Sequence, residues 1–492
     1  MSEKDQEVVV DKTEFEDADD DFMDVPELEL PSTLPSNYEM RVETDILEPV
    51  VFSQQFARFT LQKKGFLSHQ SKIAFAVNPA AGQINDGGFF PLNVGVNSLI
   101  ERCVLKAGQK TIAETESFNF LQAYRSAFIT NENNYDREQY VSGRLINFQG
   151  EYVITDGVAA GVNTDTNAPL YGVKTGMEVD TTPANDNRKL QPFALIDGTN
   201  ATRRAETPVF SIYLADLFDI FTGYDLPLYM CDEEVHIELY FTADNPNRVS
   251  VQDGDANDNN YLIQQNECRM IYDTIYYDGE TMEKYKKKQD AKGGIVLDYV
   301  DYRLNTRVVS QAEIGAGIVQ NIGGAGRMVD KVIWALNSSG GLEAQQEDLL
   351  NAYYSVAPPL TGGAVKEVEA SVNLFYNDRY EFSVDRDNLA VLFDTTAKAE
   401  GGLPLQVSKQ FYGNESHGII TTIRVEGREQ ADLAGTFFFN AIKLMRGERV
   451  NNQGIDFKFK ENIAIANRTL FVWLALKKTA VLRNGIFDCY FQ

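Results

Sequence analysis

Histidine, cysteine and tryptophan are scarce in this chain. Its 492 residues include three histidines (His69, His236 and His417), four cysteines (Cys103, Cys231, Cys268 and Cys489) and two tryptophans. The cysteines are scattered, with no C-x-x-C pair and no metal-ligand spacing. Buried free thiols in a reducing compartment are therefore expected at all four. His236 falls on the polar face of a strand pattern, and His69 and His417 fall in turn-like polar contexts. No HExxH, GxSxG, P-loop or dinucleotide fingerprint occurs, and the glycines of Gly323-Gly324-Ala325-Gly326-Arg327 are not followed by GK[ST]. Among 72 acidic residues any single carboxylate pair is uninformative. No catalytic, cofactor-binding or metal residue is assigned, no cofactor is expected, and the chain reads as a non-enzyme.

Basic charge is also lacking, with 45 Lys and Arg against 72 Asp and Glu, a net of −27. That balance opposes a surface that grips phosphates, so no sequence-specific nucleic acid binding is expected; it favours solubility or basic partners. Long apolar runs are missing too. None approaches the roughly 20 residues of a membrane span, and the first residues are acidic where a signal peptide needs a basic start. Neither membrane spanning nor conventional secretion is expected. The sequons at Asn200, Asn337, Asn414 and Asn467 therefore carry little weight.

Phe (30), Tyr (23) and Gly (36) are plentiful, and strand-like stretches broken by Gly, Asn and Asp recur throughout. The mixture reads as all-β. Residues 1–30 hold 13 acidic residues against 2 lysines, with sparse apolar residues and no sustained period. Such a segment cannot bury enough surface to offset its ordering entropy alone. Residues 1–37 are read as a disordered acidic arm, either one that orders on a basic partner or a solubilising tail.

Pro208 to Phe241 is the most informative stretch. Phe210, Ile212 and Leu214 alternate as in a strand. Leu214, Leu217, Phe218 and Phe221 then form one helical stripe, which Gly223 and Leu226-Pro227 terminate. Val235, Ile237, Leu239 and Phe241 form a return strand, opposite His236, Glu238 and Tyr240. Upstream, Phe59–Ser68 and Ser71–Phe75 read as two strands around the turn at Gly65. Ile100–Leu105 turns at Ala107-Gly108 and returns through Thr111-Ile112, and Phe120, Tyr124 and Phe128 mark a short helix with one face inward.

Glu132 to Arg204 is rich in Asn, Asp, Gly and Thr, as an exposed loop insertion is. Asp253–Asp258 suggests a calcium loop but has Asp258 where an EF-hand needs Gly and Gln264 where it needs Glu, so a solvated loop is expected. Glu267–Asp278 is a closing strand. Thr281–Gln289 is a short helical linker with four lysines, read as solvated rather than bound to nucleic acid or membrane. Strands resume at 294–309 and 327–337. Glu369–Phe393, with its turn at Asn377-Asp378, repeats the order of Ile100–Tyr124 about 270 residues on. Strands continue to the last residues, with Trp473 as a core aromatic.

The segments Ser211–Phe218, Leu226–Leu228 and Val235–Phe241, together with the succession from Gly65 to the aromatic helix, resemble double jelly-roll major capsid proteins, those of Polinton-like viruses and virophages in particular. The resemblance implies two tandem jelly-roll β-sandwiches with short inserted helices. The expected division is arm 1–37, first jelly roll 38–280 with its outward insertion at about 132–204, basic helical linker 281–289 and second jelly roll 290–492. It also implies homotrimers that form pseudo-hexagonal capsomers and tile an icosahedral shell. Neighbouring capsomers, penton proteins and minor capsid proteins would be partners, basic ones through the acidic arm. The virion would be the location, after synthesis and assembly inside the host cell. Capsid arms that neutralise a genome are basic, so the acidic arm departs from that pattern. A minor capsid or penton protein, and a carbohydrate-binding or glycoside-cleaving β-sandwich, are the other classes that fit.

Overall fold

The structure is a computed structural model. It describes residues 40–79, 88–91, 95–129, 141–142, 190–194, 209–242, 250–251, 261–338, 370–385, 398–399, 421–425, 428–432, 439–444, 449–461 and 468–492. The acidic arm, most of the insertion at 132–204, the Asp253–Asp258 run, His417 and the apolar segment after Asp385 lie outside these residues.

Eight of the described strands frame the first half: β1 (Arg41–Leu47), β2 (Phe56–Thr60), β3 (Lys72–Phe75), β4 (Ile100–Ala107), β5 (Lys110–Glu116), β6 (Phe210–Tyr213), β7 (Val235–Phe241) and β8 (Arg269–Tyr276). They form two sheets in the orders β1-β8-β3-β6 and β2-β7-β4-β5. The second half repeats this with β9 (Ile295–Val309), β10 (Ile318–Gly323), β11 (Val329–Ser338), β12 (Ala370–Tyr376), β13 (Arg379–Asp385), β14 (Phe439–Lys443), β15 (Ile455–Glu461) and β16 (Arg468–Arg483). Their orders are β9-β16-β11-β14 and β10-β15-β12-β13. Each position is displaced by eight, so one jelly-roll winding occurs twice. A last strand, β17 (Ile486–Phe491), folds back on β16 through Asn484-Gly485. Both turn residues have positive φ, 50° and 77°, as a tight hairpin requires. A Cβ at Gly485 would lie 2.3 Å from the Asp232 carboxyl.

Strands β9 and β16 are unusually long. They pair antiparallel without a break from Ile295–Leu482 to Val309–Arg468, a ribbon of about 50 Å at roughly 3.3 Å per residue. Side chains alternate across it, and one face serves both sandwiches. Ile295, Leu297, Tyr299, Ala480 and Leu482 enter the first core. Val309, Leu470, Val472, Leu474 and Leu476 enter the second. β17 follows the same plan, with Phe487 in the first core and Phe491 against the second.

Several local expectations change. Phe59–Ser68 and Ser71–Phe75 do not pair with each other. β2 joins one sheet and β3 the facing one, because Gly65 (φ 42°) redirects the chain across the sandwich. The stripe from Leu214 to Phe221 is not one helix. It divides into turns at Leu214–Leu217 and Ile220–Gly223, with Phe218 extended between them. At that break the Asp219 carboxylate accepts the Val300 N–H at 2.9 Å, tying the segment to the ribbon. All four stripe residues are buried nonetheless. Helix α1 (Phe118–Ile129) is present and buries Phe120; the Tyr124 and Phe128 side chains lie outside the described set. A basic helix runs from Gly279 to Lys292, longer than the periodicity indicates. The Asp278 carboxylate caps it by accepting the Thr281 N–H, and Gly293, at φ 101°, ends it.

Leu482 belongs to the first core and Leu474 to the second, yet one ribbon holds both. Leu482→Ala and Leu474→Ala should each cost about 2–5 kcal/mol and shift a single shared unfolding transition. Urea unfolding followed by tryptophan fluorescence and by circular dichroism checks this. Two transitions, each moved by only one substitution, would contradict it.

Candidate functional site

The sequence offers no catalytic constellation, and among the described residues no group of three His, Cys, Asp or Glu side chains could hold a metal ion. No helix among them is long and apolar enough to cross a membrane. The three cysteines Cys103, Cys231 and Cys268 are buried, and burial pushes each thiol up to about 12, away from the reactive thiolate. Cys489 is also free but only partly buried, since β17 lies at the edge of its sheet. The feature that organises the two halves is the seam between them.

At the seam the edge of β5 meets the edge of β9, with Thr115 opposite Tyr302 in a parallel bridge. Helix α1 of the first half lies over the opposite face of the ribbon, where Phe120 packs on Phe471 at 5.3 Å and Phe471 stacks on Trp473. Trp473 is fully buried and its indole N–H donates to the Glu116 carbonyl at 3.4 Å. It is therefore an anchor between the sandwiches rather than a residue inside either.

Beneath lies a chain of charges, buried at Asp301, Lys478 and Glu114 and partly exposed at Arg102 and Arg303. The Lys478 ammonium donates to Asp301 Oδ2 at 3.0 Å, with both side chains almost wholly excluded from solvent. Asp301 Oδ1 accepts the backbone N–H of Glu114 at 3.0 Å. The Glu114 carboxylate accepts from Arg102 Nε at 2.7 Å and from Arg303 at 3.5 Å, and Arg303 also lies 3.7 Å from Asp301. The Phe491 ring faces Arg327, Lys478 and Arg303 at 4.4, 5.1 and 5.5 Å. Burial raises the Asp301 carboxyl above its ordinary range, and Lys478 and the Glu114 N–H oppose that rise. Asp301 and Lys478 sit on the ribbon face that feeds both cores, at the point where one core gives way to the other.

These residues were not singled out in the sequence, although a signal exists. Ile295, Leu297, Tyr299 and Asp301 share one strand face, as do Leu474, Leu476, Lys478, Ala480 and Leu482. A charge ends the first apolar run, and one of opposite sign interrupts the second. Recognising them as partners requires the register.

His236 and Glu238, expected on a polar face of β7, are buried. Long side chains from the flanking strands cover that face. Lys106 donates to Glu238 at 2.8 Å and the Tyr240 hydroxyl donates to it at 3.0 Å, while Arg58 lies on β2 opposite Glu238. Burial alone would raise the Glu238 carboxyl, but Lys106 and Tyr240 outweigh it and hold the group below its ordinary range. Burial, then Arg58, depresses the His236 imidazole. His69 fixes a turn, its backbone N–H and ring Nδ1 both meeting Asp225 Oδ1, at 2.8 and 2.9 Å.

Fold and seam define a double jelly-roll protein, two sandwiches of one winding fused through a common ribbon. No protein-family model matches the chain, and no curated protein matches it in sequence. Solved structures do. A chain of the Sputnik virophage structure is similar over 94% of this chain and 90% of its own, with a TM-score of 0.52 and 12% identity. PBCV-1 VP54, fitted into a Sputnik reconstruction, covers 94% and 99% at a TM-score of 0.49 and 10% identity. The mavirus major capsid protein covers 100% and 96% at 0.45 and 10%. The similarity to the Sputnik virophage chain holds at the level of fold.

Two tests probe the buried charges. Breaking one partner of the Asp301–Lys478 pair, by Asp301→Asn or Lys478→Met, should cost about 3–5 kcal/mol. The double replacement Asp301→Leu with Lys478→Met should cost less than either alone, as measured by urea unfolding. The second test concerns pH. His236 binds its proton less readily folded than unfolded, so the unfolded chain takes up more protons below about pH 6.5. Its contribution to stability is complete above that value and is lost as pH falls toward the depressed folded value. Thermal melts from pH 7.5 to 5 should show a falling Tm, and His236→Gln should flatten the slope. An equal slope in both proteins would refute this.

Proposed function

We propose that this chain is the major capsid protein of an icosahedral virus, acting through shape and interface burial rather than catalysis. The repeated winding carries the reading. One chain presents two similar sandwiches, held edge to edge by β9 and β16, so three copies related by a threefold axis present six. Closed rotational symmetry limits the trimer, and weaker contacts between these pseudo-hexagonal capsomers tile the shell. On this reading the first jelly roll spans residues 38–280 with its outward insertion at about 132–204, the basic helix at 281–289 divides the chain, and the second jelly roll spans 290–492. The partners are copies of the same trimer, penton proteins and minor capsid proteins, with basic ones engaging the acidic arm. The place of action is the virion, after assembly inside the host cell. The similarity to the Sputnik virophage chain supports the same direction through fold.

Light scattering behind a sizing column should give a mass near three times 55.2 kDa, and electron microscopy of the same peak should show particles of hexagonal outline. A protein that stays monomeric at high concentration and never forms larger shells with its virion partners would overturn the proposal.

A further inference from the structure

Charge is unevenly distributed along the chain. Of the net −27, residues 1–30 hold −11, so positive charge on the body attracts the arm. The helix Gly279–Lys292 is a basic element of that body. It carries Lys284, Lys286, Lys287, Lys288 and Lys292 against Glu280, Glu283 and Asp290, the densest lysine run among the described residues. Thr281 and Tyr285 turn inward, while Lys284 and Lys287 point outward with side chains 48% and 79% exposed. Their contacts with Glu280 at 3.3 Å and Glu283 at 3.7 Å are exposed i, i+4 pairs. Such pairs are weak and exchange readily with other carboxylates.

The first described strand lies beside this helix. Arg41 opens β1 opposite Tyr276 at the end of β8, and Tyr277 and Asp278 lead directly into the helix. Met40, Arg41, Glu43, Lys64, Tyr276, Tyr277 and Asp278 line one open cleft of about 720 Å³.

We propose that the acidic arm, residues 1–30, docks along the lysine face of Gly279–Lys292 in its own chain, its carboxylates displacing Glu280 and Glu283. Charge complementarity and the nearness of β1 to the helix favour these lysines. The short tether through residues 31–39 supplies an effective concentration on the order of millimolar, enough for individually weak pairs to act together. This goes beyond the capsomer reading and does not need assembly: the helix holds the arm until a more basic partner takes it.

The test is zero-length carbodiimide coupling of the full chain, using an equal mixture of ¹⁵N-labelled and unlabelled protein at about 50 mM salt, where screening is weak. Peptide mass spectrometry should find carboxylates of residues 3–29 joined to Lys284, Lys287 or Lys292 within chains of one isotope, and the yield should fall several-fold at about 0.5 M salt. The exposed-site variant Lys284→Gln/Lys287→Gln/Lys292→Gln should keep the wild-type circular dichroism, and its couplings from the arm to the remaining helix lysines should fall several-fold. Couplings only between chains of different isotope would assign the arm to a second copy and overturn the proposal. Couplings only elsewhere, or none from the arm, would overturn it equally. A failure to trimerise would leave these outcomes unchanged, so the two readings fail separately.

Discussion

The unbroken pairing of β9 with β16 is the constraint on which the rest of the structure depends. Neither sandwich is closed without it. One end of the ribbon supplies Ile295, Leu297, Ala480 and Leu482 to the first core, and the other supplies Leu470, Val472 and Leu474 to the second. The last strand reinforces this, because Phe487 and Phe491 repeat the division over a few residues. The first and last strands of the second winding are thus also structural parts of the first. Tandem domains joined by a flexible linker would lack any such shared element.

A ribbon of this length needs its register specified, because a slip by one residue would turn every inward side chain outward. Apolar residues alone tolerate some slippage of identity along β9 and β16, where Val, Leu and Ile recur. Asp301 and Lys478 do not. Out of register, each would be a buried charge without its partner, a severe penalty in an apolar interior. Their position between the cores means that they pin the pairing while interrupting neither core. Glu114, Arg102 and Arg303 extend the same network to β4 and β5, so the charge cluster also fixes where the first sandwich abuts the second.

Much of the architecture was legible in the sequence. Alternation located β7, strand-like stretches marked β4, β8 and β9, and turn chemistry marked Gly108 and Asn377-Asp378, all three of which adopt positive φ. The resemblance of Ser211–Phe241 and its companions to a capsid family led to the correct fold class. Partner choice was not legible. Phe59–Thr60 and Ile73–Phe75 look alike as strands, but a turn with unusual φ sends them to opposite sheets. The polar aspect of His236 and Glu238 reads as solvent-facing because periodicity reports side-chain direction, not what lies over it. The helix at Leu214–Phe221 broke for a reason outside its own segment, the bond from Val300 to Asp219. Trp473 shows the same limit, since a core aromatic and an aromatic between two cores are identical in one dimension. The Asp301–Lys478 pair left a trace in each strand, but only register joins the two traces.

The ribbon has a mechanical consequence. Hinging one sandwich against the other would require β9 and β16 to bend near Asp301 and to shear hydrogen bonds loaded along their strands. The angle between the two sandwiches is therefore a rigid property of the molecule. In any larger assembly built from such chains, curvature has to be accommodated at the joints between molecules. Each subunit would act as a stiff tile, and the strain of fitting tiles to a closed surface would fall on the contacts around its rim.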